Sequence, residues 1–305
     1  MSSKETDANT ATTATQDGPT PWAAIQRLLK RSRPRFWLYL AGPVLVGLAY
    51  GADSIAALTS PLALVLVAYF LVPANVYLYG VNDVFDAEID RQNPKKDVRE
   101  VRYRGDRLTL VATVVSGLAG VALLGLVPGP ARPWIVGFLV LATAYSAPPA
   151  RLKVRPPLDS VSNGLYILPG VASYAALTGG PPPLWVLVGG WLWTMAMHTF
   201  SAIPDIEPDR RAGIRTTATV LGQRGALTYC FGCWLGATVA MATVDLRLGA
   251  LFGAYPALLA AVAGSDVTID RAYWWFPYVN AALGMALTIG GLWLTVGGPG
   301  GLVYG

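Results

Sequence analysis

Long apolar segments recur along this chain, and they restrict its fold more than any other feature. A helix needs about 20 mostly apolar residues to cross a bilayer. We place such segments at residues 36–52, 61–80, 108–127, 133–149, 160–178, 184–203, 225–243, 247–263 and 274–296. Of the 305 residues, 53% are hydrophobic and only 13% are charged, which excludes an ordinary soluble domain. The sequence therefore predicts an all-α integral membrane protein with nine transmembrane helices.

The segment before these spans has a different composition. Residues 1–20 are rich in Thr, Ala, Ser and Asp and have no apolar core. This composition predicts a disordered polar tail rather than a signal peptide. The remainder, residues 21–305, is expected to form one transmembrane domain.

Lysine and arginine residues concentrate on one side of the predicted membrane. Of the 23 such residues, 20 precede span one or lie in the loops after spans two, four and six. Because Lys and Arg are enriched in cytoplasmic loops, we predict a multi-pass plasma-membrane protein whose N-terminus and basic loops are cytoplasmic. Nine crossings then place the C-terminus outside. The net charge of +5 follows from this orientation and indicates no nucleic-acid partner.

The stretch VNDVFDAEID at the end of span two is unusually acidic. Each residue of a helix advances by about 100°, so Asp83, Asp86 and Asp90 fall within about 60° of one another, with Glu88 opposite. Converging carboxylates repel one another unless a cation lies among them, and ionisable groups near a membrane are usually functional. Carboxylate and phosphate oxygens are the ligands that Mg²⁺ prefers. The pattern predicts a Mg²⁺ site, with solvated loop charges as the alternative.

A second acidic cluster, DIEPD, follows span six on the same side of the membrane. Asp205 and Asp209 are four residues apart, and Glu207 is expected to point away. Each cluster ends an even-numbered span, four spans apart, which indicates an internal duplication: two four-helix halves plus one helix. Pro204 and Pro208 disfavour a regular helix here, so the alternative is that both acids lie on a broken first turn.

Basic residues lie on the same side as both acidic clusters. Arg151 and Lys153 follow span four, and Arg33 and Arg35 precede span one. A diphosphate bound through Mg²⁺ needs such cations, because Arg and Lys side chains take the phosphate oxygens that the metal leaves. We therefore expect these four residues around the diphosphate. The ordinary positive-inside bias is the alternative explanation for each of them.

These motifs resemble those of the UbiA superfamily of intramembrane prenyltransferases. NDVFDAEID is similar to its first motif, NDxxDxxxD, and DIEPD to its second, DxxxD. The span count and the segment from Tyr145 to Lys153 fit as well, so the resemblance covers nearly all of the chain after residue 30. Within the superfamily the chain looks most like the lycopene elongases, which add isoprenoid units to carotenoids. The segments that carry this narrower likeness are YLYGVNDVFDAEIDRQNPKK, YSAPPARLKVRPPLDSVSNGLYILPG and MHTFSAIPDIEPDRRAGIRTTATVLG.

The resemblance implies a UbiA-type helix bundle and a Mg²⁺-dependent transfer. The catalytic metal ligands would be the acids of both motifs: Asp83, Asp86, Asp90, Asp205 and Asp209. They would hold Mg²⁺ that bridges the diphosphate of an allylic donor, and Asn82 would add or orient a ligand. The carbon–oxygen bond then ionises to an allyl cation, which an electron-rich acceptor attacks. The expected acceptor is lycopene, a long apolar isoprenoid that would reach the site from the membrane lipid between helices.

An allyl cation has to meet the acceptor before it meets water, which calls for a dry chamber lined by apolar and aromatic side chains. Aromatic residues on suitable spans are Tyr77, Tyr79, Tyr145, Tyr166, Tyr174, Trp191 and Trp193. For any single one of them, packing or an interfacial position is the more common explanation. His198, the single histidine, is interpreted as a core hydrogen-bonding residue, with proton acceptance as the alternative. The product cation would lose a proton or capture water, and the sequence does not distinguish the two.

Three other functions stay open. Another UbiA-type enzyme would prenylate an aromatic acid, a quinone precursor or a glycerol phosphate lipid. An acidic acceptor would need an additional buried cation beside the chamber; the interiors of the spans contain none, and loop arginines that reach in are the alternative source. A secondary transporter would place ionisable residues near mid-membrane, whereas these acids lie at the ends of spans. A structural subunit of a carotenoid enzyme complex would keep its function when the aspartates are replaced.

Overall fold

The computed structural model describes residues 22, 26, 28–30, 32–90 and 107–295, without the side chains of 87–90. The predicted tail at 1–20 and the side chain of Asp90 lie outside that description. All regular structure in the described part is helical. Its main helices are α1 (Trp37–Gly51), α2 (Pro61–Leu71), α3 (Pro73–Asp90), α4 (Arg107–Leu126), α5 (Arg132–Ser146), α6 (Leu168–Thr178), α7 (Leu184–Ala202), α8 (Ile206–Arg211), α9 (Thr217–Ala242), α10 (Leu246–Ala263) and α11 (Ile269–Thr295).

The described helices form an integral membrane bundle. Six stretches are long and apolar enough to cross a bilayer: Pro61–Asp86, Arg107–Leu126, Leu184–Arg211, Thr217–Ala242, Leu246–Ala263 and Ile269–Thr295. The other three predicted spans contain shorter helices, α1 and α5 with 15 residues and α6 with 11. Apolar side chains also cover the outer faces, as on α4, where Val111 and Leu118 are exposed by more than half. The membrane prediction is confirmed, and the count of nine crossings is compatible with these helices.

Two predicted spans are not continuous helices. Span two is interrupted at Val72, which has φ −122° and precedes Pro73. Proline disfavours a helical conformation in the residue before it and lacks an N–H for the helical ladder. The second half, α3, then extends through Asp90, so the first acidic motif occupies the last turns of a helix.

Span five was predicted as a helix from residue 160, but the α-helix begins only at Leu168. A one-turn helix Leu158–Val161 and a 3-10 turn Ser162–Tyr166 precede it. The cause is a tertiary contact with α7. The Trp191 indole N–H donates to the Val161 carbonyl at 2.9 Å, and its ring fills the space where a Cβ on Gly164 would lie, at 2.0 Å.

The buried side chains form two separate cores. The first contains residues from α1, α2, α3, α4, α5 and α6, with Phe70 and Phe138 packed edge to face at a centroid distance of 5.3 Å. The second contains residues from α7, α9, α10 and α11, with Trp234 stacked on Phe276 at 5.5 Å. Two cores agree with the predicted division into two halves, and the internal duplication itself stays a prediction.

Helix α1 connects the two cores. It crosses α6 so closely that a Cβ on Gly47 would lie 2.1 Å from the Gly170 carbonyl oxygen. Small residues permit such an approach, which strengthens van der Waals packing between membrane helices. On its other side α1 contacts α11, where Thr295 donates to the Ala49 carbonyl at 3.0 Å. The segment just before α1 therefore lies at the junction of the halves.

Candidate active site

The first acidic motif presents two buried carboxylates on one face of α3. Asp83 and Asp86 are 7% and 9% exposed, whereas Phe85 between them is 46% exposed. This pattern confirms the prediction that Asp83 and Asp86 lie on the same face of the helix. Asp90 ends the same helix, and its side chain lies outside the described atoms.

Arg33 lies against the first of these carboxylates. Its guanidinium nitrogen is 3.7 Å from Oδ1 of Asp83, and the guanidinium also covers the Tyr79 ring at 4.6 Å. The Arg33 backbone has φ 52°, and a 3-10 turn, Pro34–Phe36, follows it. The left-handed conformation costs a non-glycine residue about 1–2 kcal/mol. Backbone strain of this kind clusters at functional sites.

The loop after α5 repeats this local arrangement at the second carboxylate. Arg151 has φ 43° and precedes the 3-10 turn Leu152–Val154. One of its guanidinium nitrogens is 3.5 Å from Oδ1 of Asp86. Among the residues that the structure describes, Arg33 and Arg151 are the two non-glycine residues with positive φ. Each of these strained arginines therefore lies beside one acid of the same motif.

Lys153 completes this cluster. Its ammonium group pairs with Oδ2 of Asp86 and donates hydrogen bonds to Oδ1 of Asn82 at 3.1 Å and to Oγ of Ser146 at 3.3 Å. The Ser146 hydroxyl also donates to Asn82 Oδ1 at 3.0 Å. The sequence-predicted residues Asn82, Asp86, Arg151 and Lys153 thus come together, with Ser146 as an addition that the sequence analysis did not single out.

Two buried polar atoms in the cluster fit a further ligand. Oδ1 of Asp86 and Nε of Arg151 are buried and have no hydrogen-bond partner within the described part of the chain. An unsatisfied carboxylate oxygen is an available ligand for a hard cation, and an unsatisfied guanidinium N–H is an available donor for phosphate. The residues present therefore fit Mg²⁺ bound together with a phosphate group.

The second acidic motif has the broken geometry given above as the alternative to a regular helix. A 3-10 turn, Ile203–Asp205, ends at Asp205, which then forms the N-cap of the short helix α8. Asp205 is exposed and Asp209 is partly buried. Glu207 points away and pairs with Arg210 at 3.4 Å. No cluster of three potential metal ligands forms among the described residues, so convergence of all five acids stays a prediction.

Arg35 has a different environment from Arg33. Its guanidinium carbon lies 4.1 Å from the centre of the Trp274 ring and 5.9 Å from that of Tyr273, both on α11. The segment 33–35 therefore contacts Asp83 in one half of the bundle and α11 in the other. A direct role for Arg35 in diphosphate binding stays a prediction.

Several of the predicted aromatic residues gather beside the acidic motif. The Tyr79 and Tyr166 hydroxyls are within hydrogen-bonding reach of each other, and Tyr166 packs edge to face with Tyr39 at 6.3 Å. Asn280 of α11 donates to the Tyr39 hydroxyl at 3.3 Å. We call Tyr39, Tyr79, Tyr166 and Asn280 the aromatic cluster. It joins helices of both halves with neutral polar groups and ring faces.

Other predicted aromatics have structural contacts. Tyr77 hydrogen-bonds Thr143 at 2.5 Å, and Trp193 packs edge to face with Tyr255 at 5.9 Å. Trp191 contacts Val161 and Gly164 in the broken segment before α6, as described above. The chamber-lining role assigned to these three rings is therefore less well supported than that of Tyr79 and Tyr166.

The comparison with protein families decides what kind of protein carries this site. The model of the UbiA prenyltransferase family matches residues 40–275, which is more than half of the chain. The chain belongs to the UbiA prenyltransferase family. The family and the enzyme class predicted from the two aspartate motifs are confirmed.

Individual relatives of this UbiA protein cover most of its length. A lycopene elongase/hydratase from Haloferax volcanii is 59% identical over 267 residues, 88% of this chain and 89% of that protein. A protein of the same name from Halobacterium salinarum is 56% identical over 267 residues, 88% of this chain and 97% of that protein.

A solved structure shares the fold. It is that of a UbiA homologue from Archaeoglobus fulgidus bound to DMAPP and Mg²⁺, with a TM-score of 0.65. The alignment covers 87% of this chain and 99% of that chain at 16% sequence identity. At this identity the likeness establishes the UbiA helix bundle.

The UbiA bundle also contains a buried pair that the sequence analysis did not connect. Nε2 of His198 on α7 lies 3.9 Å from Oδ2 of Asp159, which is 1% exposed. Asp159 belongs to the broken segment before α6. It is the one acid in the basic stretch that follows span four, which is a signal that the sequence contained.

Proposed function

We propose that this UbiA protein is a Mg²⁺-dependent lycopene elongase, which transfers a dimethylallyl-type group from its diphosphate to the end of lycopene. The observation that carries the proposal is the cluster of Asp86, Arg151 and Lys153. It contains two atoms, of the types that a metal and a phosphate bind, that have no hydrogen-bond partner among the described residues. The relatives named lycopene elongase/hydratase support the acceptor.

The residues of both motifs would hold the donor. Asp83 and Asp86, with Asn82 beside them, supply oxygen ligands from α3, and Asp90, Asp205 and Asp209 would complete the set. Bound Mg²⁺ would neutralise the diphosphate charge and so make it a better leaving group.

The cations of this chain have a second task. Arg33, Arg151 and Lys153 lie beside the same carboxylates, so they are positioned to bind the diphosphate oxygens that the metal does not take. Negative charge grows on these oxygens as the carbon–oxygen bond breaks. Donors already fixed in place stabilise that charge without reorganising.

The aromatic cluster would receive the allyl cation. Ring faces attract a cation and exclude water, and the hydroxyls of Tyr79 and Tyr166 bond each other. Such surroundings favour attack by an alkene, and the Arg33 guanidinium, 4.6 Å from the centre of the Tyr79 ring, also lies against this cluster. An acceptor with a carboxylate or phosphate would need a cation there, and Arg33 is such a cation, so the choice of lycopene as acceptor rests on the relatives named lycopene elongase/hydratase.

We further propose that lycopene reaches the site from the lipid. A groove of about 590 Å³ between α4 and α5 is lined mostly by apolar residues and extends to Ala150, next to Arg151. The bundle would lie in the plasma membrane with its N-terminus and both acidic motifs on the cytoplasmic side, as the distribution of Lys and Arg indicates. A secondary transporter is disfavoured, because the acids lie at helix ends.

A panel of acceptors tests the proposal. Purified protein in lipid vesicles with Mg²⁺ and dimethylallyl diphosphate is offered lycopene, 4-hydroxybenzoate or a glycerol phosphate lipid, and prenylated products are quantified by chromatography. We expect product with lycopene and at least about tenfold less with each of the others. Preferred prenylation of a polar acceptor would contradict the elongase assignment and leave the family assignment intact.

A further inference from the structure

The proposed transfer leaves one buried carboxylate without a role. Asp159 accepts hydrogen bonds from the Thr217 backbone N–H at 2.8 Å and from the Thr217 hydroxyl at 2.5 Å. Asn163 donates to the Asp159 carbonyl at 2.6 Å. Among the described residues the one basic side chain that pairs with this carboxylate is His198. A buried carboxylate is costly unless it is bonded and paired, so this arrangement is a candidate for function.

His198 contacts both this carboxylate and Tyr145, which precedes Ser146 of the donor-site cluster. Its side chain is 18% exposed, and its ring meets the Tyr145 ring edge to face at 6.0 Å. Tyr145 is followed in the chain by Ser146, whose hydroxyl accepts a hydrogen bond from Lys153. The imidazole therefore contacts a ring whose neighbour in the chain, Ser146, belongs to the proposed diphosphate site.

The transfer reaction ends with a step that needs a base. When the terminal double bond of the acceptor attacks the allyl cation, its electron pair forms the new carbon–carbon bond and leaves a tertiary cation. If the oxygen of a water molecule donates its lone pair to this cation, a carbon–oxygen bond forms. The oxonium must then release one proton, and the product is a tertiary alcohol.

We propose that His198, oriented by Asp159, accepts that proton and is the general base for the water addition that the names of the elongase/hydratase relatives include. The inference rests on the proposed function. Nε2 of His198 faces the Asp159 carboxylate, which favours the tautomer with hydrogen on Nε2 and leaves the lone pair on Nδ1. The proton moves to Nδ1, and the Asp159 carboxylate stabilises the resulting imidazolium. Release of this proton to solvent restores the neutral ring.

A purely structural role for the pair makes a different prediction. The bonds from Asp159 to Thr217 also fix the segment before α6 to the start of α9. If that were the whole role, replacement would lower every product in the same proportion. The fraction of product that is hydrated therefore separates the two roles, because it does not depend on how much folded protein is present.

The test compares product ratios in isotopically labelled water. Wild-type protein, His198→Asn, His198→Gln and Asp159→Asn are reconstituted with Mg²⁺, dimethylallyl diphosphate and lycopene in H₂¹⁸O. Tyr229→Phe is the matched control, since the Tyr229 hydroxyl bonds Ser160, next to Asp159, at 3.0 Å. Mass spectrometry gives the ratio of ¹⁸O-alcohol to alkene adducts.

We expect this ratio to fall at least about tenfold in the histidine and aspartate variants, a lower bound for the loss of a general base, and to be unchanged in Tyr229→Phe. An unchanged ratio in the His198 variants, or a wild-type protein that makes only alkene adducts, would overturn the inference while the elongase assignment stands. A wild-type protein that makes no lycopene adduct at all would instead refute the proposed function.

Discussion

The ammonium group of Lys153 forms an ion pair with the buried carboxylate of Asp86. Their side chains are 12% and 13% exposed, so water screens the pair weakly. The pair holds the loop after α5 against the acidic end of α3. The cations that a diphosphate needs are therefore in place beside the carboxylates before a donor arrives, which reduces the reorganisation that catalysis requires.

Replacing Lys153 and Asp86, singly and together, distinguishes the contribution of this pair to stability from its contribution to activity. Lys153→Met leaves Asp86 as a buried charge that, among the described residues, Arg151 alone compensates, and loss of one partner of a buried pair costs about 3–5 kcal/mol. We expect the free energy of unfolding to fall by an amount near the lower end of this range, because Arg151 stays 3.5 Å from the same carboxylate. The free energy of unfolding is measured by titration with a denaturing detergent.

The double variant Lys153→Met/Asp86→Asn is the control for that experiment. It removes both charges, so most of the lost stability should return, whereas prenyl transfer should stay low because a phosphate ligand and a metal ligand are both missing. Recovery of activity together with stability would show that the pair is only structural.

The left-handed backbone conformation of Arg33 and Arg151 predicts that glycine at either position is more stabilising than alanine. Glycine adopts positive φ without strain, so Arg151→Gly removes a cost of about 1–2 kcal/mol, partly offset by the greater freedom of the unfolded chain. We expect the free energy of unfolding of Arg151→Gly to be about 1 kcal/mol higher than that of Arg151→Ala, because alanine keeps the backbone strain. Both variants should lose prenyl transfer equally. Unfolding in a denaturing detergent compares the stability of the two variants, and product formation compares their activity. Equal stability of the two variants would mean that the backbone strain is absent.

The crossing of α1 and α6 predicts a second contrast, between two glycines of one helix. A Cβ on Gly47 meets the Gly170 backbone, whereas a Cβ on Gly42 meets nothing within 4 Å. Gly47→Ala should destabilise the bundle by about 1–3 kcal/mol, as overpacking does. Gly42→Ala should leave it unchanged or stabilise it by up to about 1 kcal/mol. Equal thermal stability of the two variants would contradict the close crossing.

Metal affinity gives a prediction about the first motif. Asp83→Asn keeps the shape of the side chain but removes its charge, so the Mg²⁺ concentration for half-maximal activity should rise at least about tenfold. The matched control is Asp53→Asn, an exposed acid whose side chain bonds Ser54. Activity is followed as diphosphate release across a Mg²⁺ titration, and identical titration curves for the two variants would exclude Asp83 as a ligand.

Local patterns predicted much of this molecule. The apolar segments predicted the membrane helices, and helical periodicity predicted that Asp83 and Asp86 share one buried face of α3. Pro204 and Pro208 indicated the broken turn at the second motif, because proline restricts the backbone wherever it occurs. These features depend on residues that are neighbours in the sequence.

Features that depend on tertiary contact were missed. The break before α6 arises because Trp191 occupies the space beside Gly164. The left-handed backbone of Arg33 and Arg151 had no sequence signal, since arginine seldom adopts it. The approach of His198 to Asp159 requires two elements that only the fold brings together.

The most direct test of the account is the mass of lycopene after incubation with the reconstituted protein, Mg²⁺ and dimethylallyl diphosphate. We predict adducts heavier by one or two isoprenoid units, with or without added water, that disappear on chelation of Mg²⁺ and in Asp83→Ala and Asp205→Ala. Lycopene of unchanged mass, while the same preparation releases diphosphate with another acceptor, would contradict the elongase assignment. Adducts that persist in both aspartate variants would contradict the assigned site.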